Sequence, residues 1–311
     1  MHPAYSVILF TTASGAGYGL LFWLGLAHVA GRLPVAGWDF LAAITIALGL
    51  VTLGLLSSTF HLGRPERAWR ALSQWRSSWL SREGVAALAT YVPAGLLMLL
   101  SLFGVGSWLS LPLALLSALG AVATVWCTGM IYASLKTIRH WHHPLVPWIY
   151  LALAAASGAV LLVLLLAFSG APLRGMSALA LLALIGAGLL KRRYWRDVDA
   201  RPGAITADMA LGLEGVQRQL EPPHTRPNYV MREMGYQVAR THARDLRRMV
   251  LTWAFAVPGG VLLILALWGA LAPVLAPIAV MCAAGGLVVE RWLFFAEAEH
   301  VSMLYYGAEQ A

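Results

Sequence analysis

Charge is scarce in this sequence. Only 12% of its 311 residues are Asp, Glu, Lys or Arg, while 59% are apolar, a balance that water-soluble domains do not keep. Cysteine is scarcer still: Cys127 and Cys282 stand alone. Two isolated thiols exclude a disulfide framework and cannot supply the four-cysteine sets of iron–sulfur clusters or structural zinc. Segments of alternating polarity are missing, which argues against a transmembrane barrel. Histidine is nearly absent from the apolar stretches. Only His28 lies well inside one, so the paired axial ligands of a haem b have no source.

Long apolar runs are what the chain has in quantity. Eight can cross a hydrocarbon core of about 30 Å as helices: Tyr5 to Ala30, Trp38 to Phe60, Gly84 to Phe103, Trp108 to Ile131, Pro147 to Ser169, Ser177 to Leu190, Val250 to Leu271 and Ala276 to Phe295. In lipid every backbone polar group needs an internal partner, so the expected fold is all-α, one polytopic membrane domain over residues 1–311 with eight transmembrane helices. The first run lacks the basic flank of a signal peptide and reads as a retained helix. With eight spans, both termini share a side with the loops after spans two, four and six. Nineteen of the 22 Lys and Arg residues fall there: Arg64, Arg67, Arg70, Arg76 and Arg82, then Lys136 and Arg139, then twelve between Lys191 and Arg248. The opposite loops hold Arg32 and Arg174 only. This asymmetry predicts cytoplasmic termini and a cytoplasmic basic surface, and it persists at seven against two without the long 191–248 insertion.

From Ser57 the chain reads SSTFHLGRPERAWRALSQWRSSWLSREG. His61 falls at the basic end of span two and Glu83 at the start of span three. Between them Trp69, Leu72, Trp75 and Trp79 recur at intervals of three, three and four, with Arg64, Arg67 and Arg70 on another face. The spacing predicts a helix lying in the membrane interface, tryptophans buried and arginines toward headgroups or a partner. Its ends bring His61 and Glu83 to one depth. A His and a carboxylate at the hydrocarbon edge suit a quinone site, where a head group leaves the lipid laterally and exchanges protons. The residues alone also allow His61 as a helix-end side chain and Glu83 as a carboxylate favoured by the helix dipole.

HLGRPERAWRAL followed by LSREG resembles the signature of the DMSO reductase anchor subunit family, and ERWLFF around Glu290 is similar to that family's last helix. The resemblance implies a multi-pass anchor in the bacterial cytoplasmic membrane that binds quinone or quinol (menaquinone or ubiquinone), without a haem or cluster of its own. It implies a ferredoxin-like iron–sulfur subunit and a molybdopterin catalytic subunit as partners, and His61 and Glu83 as quinone-site residues, with Arg291 matching a family arginine. Arg64, Arg67 and Lys136 are added as candidate walls of the site. No catalytic residue, metal ligand or nucleic-acid partner is assigned to this chain.

The 191–248 insertion departs from the best-known members and resembles a branch associated with sulfite-oxidising complexes, whose molybdenum subunit stays in the cytoplasm. Its twelve basic residues meet seven acidic ones. Ala204 to Leu220 and Tyr236 to Met249 have helical spacing, separated by Pro222, Pro223 and Pro227. It reads as a platform for the iron–sulfur partner through Arg226, Asn228, Tyr229, Arg232 and Arg240; attraction to anionic lipid and topology enforcement are the alternatives.

Other features have simpler readings. His140, His142 and His143 lack a fourth ligand and read as an interfacial polar patch. Glu290 and Arg291 point about 100° apart on a helix and are expected not to pair with each other. Arg291 is expected to face the quinone pocket or a partner carboxylate, with Glu290, Glu297 and Glu299 either conducting protons or snorkelling to the interface. Gly15, Gly17 and Gly19 allow close approach to span one, and Pro258, Gly259 and Gly260 predict a kink in span seven. Two competing classes stand: a structural anchor without quinone, and a secondary transporter, which calls for midplane charges that the spans lack.

Overall fold

The computed structural model describes residues 2–33, 35–60, 62–106, 108–200, 205–215, 217, 220–221, 226, 228–236 and 238–308. Among these, eight helices are long and apolar enough to span a membrane: α1 (Tyr5–Val29), α2 (Trp38–Thr59), α3 (Trp79–Leu102), α4 (Ser110–Ala133), α5 (Val146–Ser169), α6 (Arg174–Asp199), α7 (Ala243–Leu267) and α8 (Ala272–Ala296). No strand element occurs among the described residues. The chain's first residues and the insertion meet at one end: the His2 amide donates to the Glu233 carbonyl at 2.6 Å.

Close approach of backbones builds the centre, because apolar burial gives helices no net attraction within lipid and packing must do so. α1 is enclosed by α2, α4 and α5. A Cβ on Gly19 would lie 1.8 Å from the Ala154 carbonyl oxygen of α5, and one on Gly17 would lie 2.6 Å from that of Ala47 on α2. Gly15, the third glycine of the expected set, faces open space. In α7 the expected kink takes the form of a π-helical turn, Leu251–Ala256, just before Pro258. Proline has no N–H to give the preceding turn, and a widened turn absorbs the mismatch. Gly286 of α8 packs directly on that turn, where a Cβ would come within 2.2 Å of the Ala254 nitrogen.

The connections differ more from expectation. Pro65–Gln74 is a 3-10 helix with no buried residue; Trp69 and Trp75 remain exposed, and Leu72 alone seats against Gly84 of α3. Of the helix expected over Ala204 to Leu220, the described residues show Ala207–Leu211, closed by Gly212 at φ 66°. Tyr229–Met234 and Val238–Thr241 follow, and the Tyr236 to Met249 reading is broken at His242, the residue before α7. Pro222, Pro223 and Pro227 lie outside the described residues.

Charge ties α6 to α8. α6 continues well past Leu190, so Lys191 is not a loop residue; it is 1% exposed, with Nζ 2.5 Å from Glu290 Oε1. Arg291 Nε lies 2.5 Å from Glu290 Oε2, so the neighbours do pair, contrary to expectation. Their Cβ atoms diverge, but two long side chains can curl back to one point when aromatic walls leave no other exit. Those walls are present. The Arg291 guanidinium stands 4.3 Å from the Tyr150 ring centroid, Lys191 Nζ 4.6 Å from that of Tyr194 and 5.1 Å from that of Trp195, and Phe294 flanks both cations. Desolvated cations over aromatic faces gain about 2 kcal/mol.

Two outcomes follow from this packing. Gly19→Ala should destabilise the protein by about 1–3 kcal/mol through overpacking, whereas Gly15→Ala should leave it unchanged; thermal unfolding in detergent compares them. Glu290→Gln strands two buried cations and should cost about 3–5 kcal/mol. Lys191→Met leaves a one-to-one pair and should cost less. Equal or reversed losses in the same assay would refute the role given to Glu290.

Candidate functional site

The Ser78 hydroxyl caps α3 by accepting from the Ser81 amide at 3.5 Å. Arg82 then ties the preceding loop down, donating to the Trp75 and Arg76 carbonyls at 3.0 and 2.7 Å. Glu83, in the second turn, therefore enters the bundle at a fixed angle and is 4% exposed. It accepts a hydrogen bond from Thr128 of α4, and the same hydroxyl also lies 3.0 Å from the Thr124 carbonyl oxygen. A single hydroxyl so placed serves both states of the carboxyl. It donates to an ionised Glu83, or it accepts from a protonated one while donating to Thr124. Neither state leaves Thr128 unsatisfied, so a proton can come and go without rearrangement. Thr90 and Thr124 continue the seam, their hydroxyl oxygens 3.4 Å apart.

Thr128 also walls a cavity of about 30 Å³ between α1, α4, α5 and α8, with room for about one water. Its other polar walls are Thr11, Thr12, Ser14, Tyr150, Ser157 and Arg291. Thr11, Thr12, Ser14 and Ser157 spend their hydroxyls on their own helix carbonyls. Arg291 Nη2 and the Tyr150 hydroxyl are buried and make no hydrogen bond of good geometry among the described residues. The cavity is thus bordered by two residues that face each other, Arg291 and Tyr150, whose buried donors lack a well-aligned acceptor. Thr12, Ala16, Ser157 and Leu287 line both this cavity and an adjoining groove of about 330 Å³. The groove has α1 and α5 as its floor and α2 and α8 as its sides; Leu9 and Val288, 44% and 45% exposed, mark its open flank. An apolar groove with an exposed flank therefore adjoins a small polar-bordered cavity beside Glu83's partner.

Of the expected site residues, Glu83 and Arg291 converge on the walls of this one cavity, Glu83 through Thr128. His61 lies outside the described residues. Arg64, at the start of the 3-10 helix, Arg67, 3.9 Å from Glu66, and Lys136, in the turn after α4, are exposed and line neither cavity nor groove. Thr128, Tyr150 and Lys191 are additions that the sequence reading does not contain. Lys191 had a signal, since Tyr194 and Trp195 stand three and four residues on and share its face.

The 140–143 histidines staple the α4–α5 turn. His143 faces Asp197 at 3.8 Å, and the Tyr194 hydroxyl donates to the His140 carbonyl at 2.8 Å. Burial beside Arg139 and Arg247 pushes the His140 pKa down to about 4, so its ring is neutral at neutral pH. Glu297 and Glu299 are each paired with a cation: Arg247 at 2.9 Å and Arg240 at 2.9 Å. Burial still holds the Glu297 carboxyl above the ordinary range against the pull of Arg247. Within the expected docking set, Asn228 accepts from the Met231 amide at 2.9 Å and donates to the Tyr306 hydroxyl at 3.4 Å. Arg226, Tyr229 and Arg232 remain exposed.

Comparison with known proteins agrees with this architecture. The sequence is 36% identical to the C subunit of sulfite dehydrogenase from Allochromatium vinosum, covering 98% of this protein and 99% of that one. It is 26% identical to the C component of the anaerobic dimethyl sulfoxide reductase of Escherichia coli and 25% identical to YnfH, another anaerobic dimethyl sulfoxide reductase component of the same organism. Each match spans 60% of this protein and 67% and 68% of those two respectively. Residues 1–210 match the family described as DMSO reductase anchor subunit (DmsC). With two-thirds of its length inside that match and a near-full-length relative beyond it, the protein belongs to the DMSO reductase anchor subunit (DmsC) family.

Proposed function

We propose that this protein is the quinone-binding anchor of a molybdenum and iron–sulfur oxidoreductase complex in a bacterial cytoplasmic membrane, and that the complex oxidises sulfite. The observation that carries the reading is a pair of adjoining cavities that share four lining residues, an apolar groove with an exposed flank and a smaller one bordered by polar side chains, a single hydrogen bond from Glu83. The donor set fits the group. Arg291 Nη2 and the Tyr150 hydroxyl suit a carbonyl oxygen, and the groove suits a ring and an isoprenoid tail. A bound quinone supplies the exchange of two electrons and two protons.

The protein's own residues do the rest. Arg291, held by Glu290, orients the head group and draws electron density toward its oxygen. Glu83 holds or releases a proton, and Thr128 follows either state without moving. His61, on the strength of the HLG motif, is the second proton-exchanging group. Arg64, Arg67 and Lys136 act on the surface at the same end. There an iron–sulfur subunit docks on the exposed Arg226, Tyr229 and Arg232, with Asn228 and Arg240 holding the segment, and the molybdopterin subunit lies beyond it. The charge asymmetry of the loops supports the cytoplasmic side.

Sulfite is favoured because the 36% identity runs through the insertion, α7 and α8. The weaker likeness to the Escherichia coli proteins favours a second reading, a reductase anchor that oxidises menaquinol. In the assembled complex, Glu83→Gln and His61→Ala should each lower sulfite-dependent quinone reduction by about 10²–10⁴-fold. Sulfite oxidation with a soluble dye should continue. Unchanged quinone reduction in both variants would overturn the site. Quinol-driven reduction of a sulfoxide without sulfite oxidation would select the second reading.

A further inference from the structure

The ends of α6 and α7 enclose a cleft of about 790 Å³, lined by six arginines and two aspartates. Part of this charge is already neutralised. Arg247 bonds Asp199 at 2.7 Å and Glu297 at 2.9 Å, Arg240 bonds Glu299 at 2.9 Å, and Arg248 faces Asp245 at 3.6 Å. Arg192, Arg196 and Arg244 are exposed and form no ion pair among the described residues. Three guanidiniums thus converge on one concavity without an anion of their own.

The surface beneath the cleft indicates which anion. On α6, Arg192 and Arg196 continue the row Leu182, Ile185 and Leu189, at intervals of three and four along one helix face. These three are 65%, 49% and 62% exposed, which for a membrane-spanning helix means facing acyl chains. On α7, Leu251 lines the cleft itself, seven residues after Arg244 on the same helix face, and the exposed Met249 and Trp253 lie within the next turns, Trp253 being suited to the headgroup level. A basic concavity that continues the exposed apolar row of α6, with Leu251 of α7 in its wall, has the layout of a phospholipid: phosphate in the cleft, acyl chains along the helix face.

We propose that this cleft binds an anionic glycerophospholipid, with diphosphatidylglycerol the best match because three unpaired guanidiniums suit two phosphodiesters. A free phosphate would satisfy the arginines but leave the Leu182 row uncovered. An acidic protein would have no use for that row, and Tyr229 and Arg232 offer it a surface farther along the sequence. The bound lipid also bridges α6 and α7, which are otherwise joined at this end by Arg247. The inference is independent of the quinone reading.

The test is native mass spectrometry of the purified full-length protein in detergent, titrated with diphosphatidylglycerol, phosphatidylcholine or inorganic phosphate. Diphosphatidylglycerol should bind in preference to phosphatidylcholine, and phosphate should not displace it. The triple variant R192Q/R196Q/R244Q should bind it roughly a hundredfold more weakly, and each single variant several-fold more weakly. The double variant R70Q/R76Q, which removes charge elsewhere on the basic end, should bind like the parent. Undiminished binding by the triple and single variants would overturn the proposal. So would displacement by phosphate at matched concentration, or loss of the lipid when the partner subunits are bound, which would assign the cleft to a protein.

Discussion

Glu290 is the residue on which the rest of the interior depends. It places one carboxylate between two cations at a depth where each unpaired charge would cost several kcal/mol. The solution joins three helices at once: α6 through Lys191, α8 through Glu290 and Arg291, and α5 through the Tyr150 ring under the guanidinium. Tyr150 stacks on Tyr132 of α4 at 5.7 Å, and the Trp141 indole donates to the Phe294 carbonyl at 2.9 Å. Helix register at this end is therefore set by charge and aromatic geometry. Near the middle, close glycine contacts between α1 and α5 take over.

This arrangement leaves a directed excess. Two cations share one carboxylate, so the group carries a net positive charge, and Arg291, bonded to Glu290 through Nε, is one of the residues that line the cavity. Glu83 approaches the same cavity from the other side, through Thr128. An oxygen-rich ligand entering along the groove would find positive charge and donors on one wall and a proton-exchanging carboxyl behind another. The apolar groove strengthens both effects by keeping the local dielectric low. Fold and site thus use the same charges.

Hydropathy made the eight spans legible, since an uncharged apolar run of about twenty residues matches the thickness of a bilayer and is too long for most soluble cores. It failed at the end of span six. Lys191, Arg192 and Arg193 look in sequence like the start of a loop, yet the helix continues to Asp199 because Lys191 turns inward to Glu290 while its neighbours face out. The pairing of Glu290 with Arg291 was illegible because the 100° rule describes where side chains leave the helix and says nothing of where flexible ones end. The place of Glu83 at the start of span three was legible in the sequence, and its bond to Thr128 was not. The groove was not, for Leu, Ala and Val in α1, α2, α5 and α8 carry the same composition whether they pack together or leave a gap.

The twelve basic residues between Lys191 and Arg248 look in sequence like one positive block, and neutralisation divides them. Lys191 belongs to the interior, and Arg240 and Arg247 close ion pairs that pin the last acidic residues of the described segment, Glu299 and Glu297, to the bundle. Those three cations are spent on the fold and offer little to a partner. The charge left over falls into two groups. Arg192 and Arg196 continue the exposed apolar row of α6 and share their cleft with Arg244, whereas Arg232 projects beside the exposed Tyr229 from a helix that packs on the C-terminal Val301–Tyr306 turn. A long-range positive field acts on lipid and protein alike. What separates the two is the surface next to each charge, hydrocarbon-facing in the first group and aromatic and polar in the second. On the two proposals made above, the insertion divides into a lipid-side and a partner-side surface joined by internal ion pairs.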